Sequence, residues 1–311
     1  MRVAVIDLGT NSTRLLVAGV ENGQVTELER CNTVTRLGRG VDLSRQLCSD
    51  AIEDVCAVVG DYLAVLREMG AERVSALATS AVRDASNGGA FLAELRERFA
   101  LDAQMLSGEE EARLTYLGAM ASRDVADGEL AKKTLVFDIG GGSTELVCGR
   151  GADVDFHASL QVGTVRHTER HLLTDPPRAA ALDELATDVR GQIEKATSES
   201  RGAVADHGIA VAGTPTSLAA IDLELDPYDP EQVHGHRMSL QSIQRMFSRL
   251  AAMPLAERLK IPGLHPGRAP TIVAGVVILV ETMRAFGLSE IEASEQDILW
   301  GSALATALAP V

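Results

Sequence analysis

Two short segments carry residue types suited to binding anions. Asp7-Leu8-Gly9-Thr10-Asn11-Ser12-Thr13 and Asp138-Ile139-Gly140-Gly141-Gly142-Ser143-Thr144 stand 131 positions apart, and Asp, Gly, Ser and Thr coincide in the two copies. Glycine lets a backbone approach an anion closely, and successive N–H groups at such a turn form a concavity for negative oxygens. The ligand this chemistry suits is a phosphate chain, held by Gly9, Thr10, Asn11 and Ser12 in one copy and by Gly140, Gly141, Gly142, Ser143 and Thr144 in the other. Asp7 and Asp138 are candidate ligands for Mg²⁺, a hard ion that takes oxygen donors, and Glu145, seven residues after Asp138, can join them. Tight turns capped by Asp would explain a single copy; two matched copies favour phosphate binding.

Other charged groups extend the set. Arg83, in Thr79 to Asn87, is read as lying on a loop at a strand end, and a guanidinium is shaped for bidentate phosphate contact. Glu109, Glu110 and Glu111 open a helix, where the macrodipole favours acids, and Ser107 with Glu110 forms a capping box. Neighbouring helix positions diverge by about 100°, so only one of these acids points squarely into a site, and composition does not choose it. His167 and His171 are four apart on a predicted helix, and His234-Gly235-His236 lies in a loop. No carboxylate or third histidine follows at a zinc-motif spacing, so Arg166, His167, Arg170 and His171 are read instead as a basic stripe, alongside His236, Arg237 and Arg268.

The elements that must position these groups follow from periodicity. Each Asp-x-Gly segment joins two apolar runs, and the first continues through Glu21-Asn22-Gly23-Gln24, an Asn-Gly hairpin signal. The unit is strand, turn, strand. Rossmann and P-loop sites need glycines that open a helix, and the chain has no Gly-Lys dipeptide. A helix is predicted from a capping box at Asp50 and Glu53 to Gly70, a strand over 73–79, and helices over 91–99 and from Ser107 to about 122. Strands near Phe156 and Ile209 then alternate with helices over 178–199, 217–225, 240–253, 271–286 and 298–308. Polar 122–133 marks the boundary between two α/β domains, 1–124 and 125–311, with a cleft between them. Trp300 and the run Ile272 to Val280 are read as core.

Composition narrows the partners. Lys and Arg number 29 against 44 Asp and Glu, and the net charge of −15 argues against general nucleic-acid or acidic-membrane binding. A polyanionic substrate therefore needs a local basic channel, expected from Arg14, Arg83, Arg166, Arg170, His171 and Arg268. The longest apolar run, Ile272 to Val280, is nine residues, short of the roughly 18 that span a bilayer. Asp7 interrupts the first apolar stretch before a signal-type segment forms, so a cytoplasmic location is expected. The four cysteines show no Cys-x-x-Cys pair and are read as small buried side chains.

Taken with Ala78-Thr79-Ser80-Ala81-Val82-Arg83, Gly108 to Arg113, Gly163-Thr164-Val165-Arg166, Ala212-Gly213-Thr214 and His265-Pro266-Gly267-Arg268-Ala269, the two hairpins resemble the exopolyphosphatase and guanosine pentaphosphate phosphatase (Ppx/GppA) family over nearly the whole chain. The resemblance implies two ribonuclease H-like domains of the actin-like ATPase superfamily, shared with acetate and sugar kinases. It implies Glu111 as the catalytic glutamate, Asp138 and Glu145 as metal-linked acids, and Arg83 as a phosphate contact. The chain ends at Val311, without the additional helical domain of longer relatives, and so resembles the short two-domain branch. Asp297-Ile298-Leu299-Trp300-Gly301 stands where relatives carry Gly-x-Leu-Arg-Glu-Gly. The activity implied is Mg²⁺-dependent release of terminal phosphate from inorganic polyphosphate, with hydrolysis of guanosine pentaphosphate as the alternative and a homodimer as the expected assembly. A kinase of the same fold would need an adenosine pocket, for which Ala212 to Thr216 is the candidate, and an inactive sensor would bind without hydrolysis.

Overall fold

Residues 1–121, 123, 132–151, 153–198 and 204–309 are described by a computed structural model. Their contacts divide into two units, 1–122 with 297–311, and 123–296. Most of the polar segment 122–133 expected to join the domains lies outside the described residues.

The first unit is built on β1 (Arg2–Leu8), whose residues after Arg2 are all buried. A near-continuous apolar strand of this kind belongs at the centre of a sheet covered on both faces. It pairs antiparallel with β2 (Ser12–Glu21), which turns into β3 (Gln24–Val34) through Asn22 and Gly23, both at positive φ (52° and 80°). That is the turn an Asn-Gly pair specifies, because its twist matches the flanking strands. The chain then runs through α1 (Val41–Ser44), α2 (Ser49–Glu68), β4 (Arg73–Ala78), α3 (Ser80–Asp84), α4 (Gly88–Phe99), β5 (Ala103–Met105) and α5 (Gly108–Met120). Strand order is β3-β2-β1-β4-β5, with β4 parallel to both β1 and β5.

The second unit repeats the plan. It contains β6 (Thr134–Ile139), β7 (Thr144–Arg150), β8 (Asp153–Leu160), α6 (Thr164–His171), α7 (Ala179–Thr197), β9 (His207–Val211), α8 (Gly213–Asp222), α9 (Pro230–Val233), β10 (Arg237–Ser239), α10 (Leu240–Ala252), α11 (Leu255–Arg258), α12 (Ile272–Ala285) and β11 (Glu290–Ser294). The order is β10-β11-β9-β6-β7-β8. Without the short edge strand β10, this is the arrangement of the first sheet, as the internal repeat led one to expect, and it agrees with the ribonuclease H-like fold that the family resemblance implied. Helix α12, buried from Ile272 to Met283, lies in the core of this unit, as its apolar run predicts.

Three expectations are corrected. The last helix, α13 (Ile298–Leu308), does not belong with 125–296: Ile298, Leu299, Trp300, Ala303 and Leu304 pack against Val3, Val5, Leu16 and Leu77 of the first sheet. It also crosses α5 at two glycines, where a Cβ on Gly118 would meet the Asp297 carbonyl and one on Gly301 the Leu114 carbonyl. An apolar helix records that it needs a sheet to cover, not which sheet. The Asp50 capping box does not form, because α2 begins at Ser49, two residues before the start that an Asp50 N-cap would give, and Cys48 at its N-cap makes no side-chain cap bond. Arg83 sits on the one-turn helix α3 rather than a loop. Of the cysteines, Cys56 and Cys148 are buried, while Cys31 and Cys48 are half-buried.

Candidate active site

Strand pairing places the first acidic residue. Asp7 on β1 lies directly opposite Arg14 on β2, so both side chains project from one face of the sheet. Arg14 Nε and Nη2 converge on Asp7 Oδ2 at 2.9 and 2.6 Å, and Arg14 Nη1 reaches Asp297, whose carboxylate also caps α13 by accepting from Leu299 N–H. Burial pushes the Asp7 carboxyl above its ordinary value, with the Arg14 charge opposing. Its second oxygen, Oδ1, is buried with no hydrogen-bond partner. Asp7 is thus committed first to an ion pair, where the sequence suggested a metal ligand. Sequence reasoning noted Asp297 but gave it no partner, because 283 residues separate it from Arg14.

Glu111 is singled out among the three neighbouring acids by burial. Glu109 and Glu110 are exposed, and Glu110 closes the capping box with Ser107 in both directions, whereas Glu111 is 7% exposed on the inward face of α5. Arg83 Nη1 donates to Glu111 Oε2 at 2.9 Å and to the Leu106 carbonyl at 2.8 Å. Arg83 Nη2 is buried without a partner, a donor aimed away from bulk water. Burial raises the Glu111 carboxyl to about 7, against the lowering influence of Arg83 and with a further push from Asp7. A carboxyl poised there takes a proton efficiently near neutral pH.

The second hairpin presents a different pair. Asp138 on β6 lies directly opposite Glu145 on β7, both are buried, and Ser159 Oγ on β8 donates to Glu145 Oε1 at 2.8 Å. Two carboxylates facing each other in a sheet repel unless a cation or proton lies between them. Oxygen-only donors oriented by a hydroxyl fit a hard divalent ion.

Both hairpin tips have their carbonyls tied back into the protein. In the first, Ser12 O accepts from Gly9 N–H, Thr10 O from Gly38 and Asn11 O from Thr35 and Arg36. In the second, Ser143 O accepts from Gly140, Gly140 O from Thr164, Gly141 O from Val165 and Arg166 N–H, and Gly142 O from Arg166 Nε at 2.7 Å. A tip whose carbonyls are already bonded meets a ligand through its N–H groups, the polarity an anion requires. The α6 N-terminus reaches the tip because Gly163 has no side chain; a Cβ there would run into Gly141 and Gly142.

Several expected contacts go elsewhere. Thr144 Oγ1 donates to the Val162 carbonyl at 2.7 Å and Thr10 Oγ1 bonds Ser80 Oγ at 2.9 Å, so both hydroxyls brace their hairpins. The residues expected to form the basic channel each have partners within their own unit. Arg14 is held by two aspartates, Arg166 by Gly142, Arg170 and His171 by Asp188, and Arg268 by the Gly213 carbonyl and Thr216.

Two sheets of one topology, each opening on an Asp-x-Gly hairpin, define a phosphate-handling protein of the actin-like ATPase fold. The chain belongs to the Ppx/GppA phosphatase family, hydrolases of phosphoanhydride bonds, whose profile matches residues 16–303. Exopolyphosphatase 2 of Mycobacterium tuberculosis is 34% identical, over 98% of this chain and 98% of that protein. Among solved structures, an exopolyphosphatase-like protein is 33% identical with a TM-score of 0.92, covering 98% of this chain and 97% of the other. The Aquifex aeolicus member of the Ppx/GppA family is 31% identical with a TM-score of 0.82, covering 99% and 98%. Among the described residues, no helix is long and apolar enough to cross a membrane.

Proposed function

We propose that this protein is an exopolyphosphatase that removes the terminal phosphoryl group of inorganic polyphosphate by attack of water. The observation that carries the reading is the buried Glu111 carboxyl, raised to about 7 and held by Arg83 beside an unpartnered guanidinium nitrogen. Glu111 takes the proton of the attacking water as its oxygen bonds the terminal phosphorus; the bridging P–O bond breaks, leaving orthophosphate and a chain one unit shorter. Arg83 Nη2 donates to a terminal phosphate oxygen, and the N–H groups of Thr10 and Asn11 bind phosphate oxygens of the chain; the N–H groups of Gly141 and Gly142 offer the same chemistry on the second hairpin. Positioning and charge stabilisation are what phosphoryl transfer chiefly needs, so no covalent protein nucleophile is invoked. Mg²⁺ on Asp138 and Glu145 would neutralise charge on the phosphate oxygens.

The test is phosphate release from the purified chain with Mg²⁺, comparing short polyphosphate, long polyphosphate and guanosine pentaphosphate, with Glu111→Gln as control. Release from polyphosphate that vanishes in the variant supports the proposal. Release from the nucleotide alone makes the protein a guanosine pentaphosphate phosphohydrolase, and release from none of the three sinks both readings.

A further inference from the structure

His167 and His171 lie one turn apart on α6, and a carboxylate that no motif spacing offers them arrives from α7. Asp188 Oδ2 stands 3.4 Å from His167 Nε2 and 3.2 Å from His171 Nε2. The three donor atoms all lie within 4.8 Å of one another. An ion with four tetrahedral bonds of about 2.0 to 2.2 Å holds its ligand atoms roughly 3.3 Å apart, so the gaps to Asp188 are already those of a first coordination shell.

His167 is wholly buried, yet its Nε2 closes no hydrogen bond. Burial lowers its pKa to about 4, which keeps the ring neutral, the form that ligates metals. The other two groups are partly exposed, His171 by 14% and Asp188 by 29% of their side chains, leaving a route for an ion and room for a water ligand. Gln192 Nε2 holds Asp188 Oδ1 at 3.0 Å and so turns Oδ2 toward the histidines, as an outer-shell partner does. Two groups oppose an ion. Arg170 Nη1 lies 3.3 Å from the same Oδ2, and its side chain, 39% exposed, has solvent to move into. His167 Nδ1 accepts from Gly163 N–H at 3.3 Å, so ligation through Nε2 shifts the ring proton to Nδ1 and gives up that long contact.

We infer that His167, His171 and Asp188 form a binding site for a borderline divalent cation of the zinc type, with water as the fourth ligand. Two imidazoles and one carboxylate suit zinc rather than Mg²⁺, which separates this site from the all-oxygen pair Asp138 and Glu145. The ion joins α6 to α7, and the first turn of α6 holds the carbonyls of Gly140, Gly141 and Gly142, so occupancy braces the second phosphate hairpin from behind.

The test is Co²⁺ titration of the full chain, stripped with chelator and kept in excess Mg²⁺ to occupy oxygen-only sites. The readouts are the visible d–d absorption of four-coordinate cobalt and the zinc retained after dialysis. The expected result is one ion per chain, with more than about 100-fold weaker binding in His171→Ala and Asp188→Asn and about 10-fold weaker binding in Gln192→Ala. Arg170→Ala, which removes the competing cation, binds more tightly, and Asp138→Asn is unchanged. Equal binding by wild type and His171→Ala, loss of binding in Asp138→Asn alone, or no stoichiometric binding overturns the inference.

Discussion

Arg14 and Glu145 occupy the same position in the two copies of one hairpin, each directly across the strand pair from the aspartate of its own copy. The first hairpin therefore carries its counter-ion in its own sequence, while the second presents two acids to each other. The duplicated motif differs in this way: in one copy the aspartate faces an arginine, and in the other it faces a second acid.

Arg14 links β1, β2 and the start of α13 through Asp7 and Asp297. Replacing it by Met leaves two buried carboxylates without their counter-ion. A loss of about 3 to 5 kcal/mol is expected from breaking a buried pair on one side. Urea unfolding of Arg14→Met measures it, and an unchanged midpoint would show that water reaches both acids.

Asp138→Asn removes one of two facing like charges. In chelator-treated protein its Tm is expected to equal or exceed that of wild type, while the Tm increase that Mg²⁺ gives wild type disappears. Glu145→Gln behaves likewise. Melting curves with EDTA and with Mg²⁺ check both; a Mg²⁺ shift that persists in both variants would move the metal elsewhere.

Glu111 predicts opposite effects on rate and stability. Glu111→Gln lowers kcat by on the order of 10² to 10⁴-fold. A carboxyl carried by folding from 4.5 to about 7 is stabilising while protonated and costs about 3 kcal/mol once ionised, so wild-type stability falls as pH rises from about 4.5 to 7. The variant lacks that fall and melts higher than wild type at pH 8. The rate of wild type rises with pH through a limb near 7, since only the ionised carboxylate accepts a proton. Arg83→Ala removes the charge that lowers this pKa, and the limb of its residual activity moves to higher pH. Parallel pH–rate and pH–Tm profiles decide the matter; a flat rate between pH 5.5 and 8 would take the base role from Glu111.

Gly301 tests the placement of α13. A methyl group there meets the Leu114 carbonyl on the helix that carries Glu111. Gly301→Ala is expected to cost at least about 1 to 3 kcal/mol by overpacking and to lower kcat through displacement of α5. Chemical denaturation with kinetics on the same sample checks it, and a variant of native stability would mean that the two helices do not touch at this point.

What the sequence determined by itself rests on local and periodic information. Apolar runs ending in Asp-x-Gly specified central strands and tight turns, Asn22-Gly23 specified its hairpin, and the equal spacing of Asp7 from Arg14 and Asp138 from Glu145 already held the contrast between the two copies. Ser107 and Glu110 formed the cap their spacing announces, because a cap needs only four consecutive residues. Tertiary structure decided what depends on residues far apart along the chain. Burial in the first unit chose Glu111 over its neighbours, Asp297 came back to Arg14 across most of the chain, and α13 covered the first sheet instead of the second. Asp188 reached His167 and His171 from another helix. Charge count suggested basic residues for a channel, and folding gave each of Arg14, Arg166, Arg170 and Arg268 an internal acceptor that the count does not name. Which partner a charge takes is set by distance in the folded state, and a linear pattern encodes distance only over a turn or a strand pair.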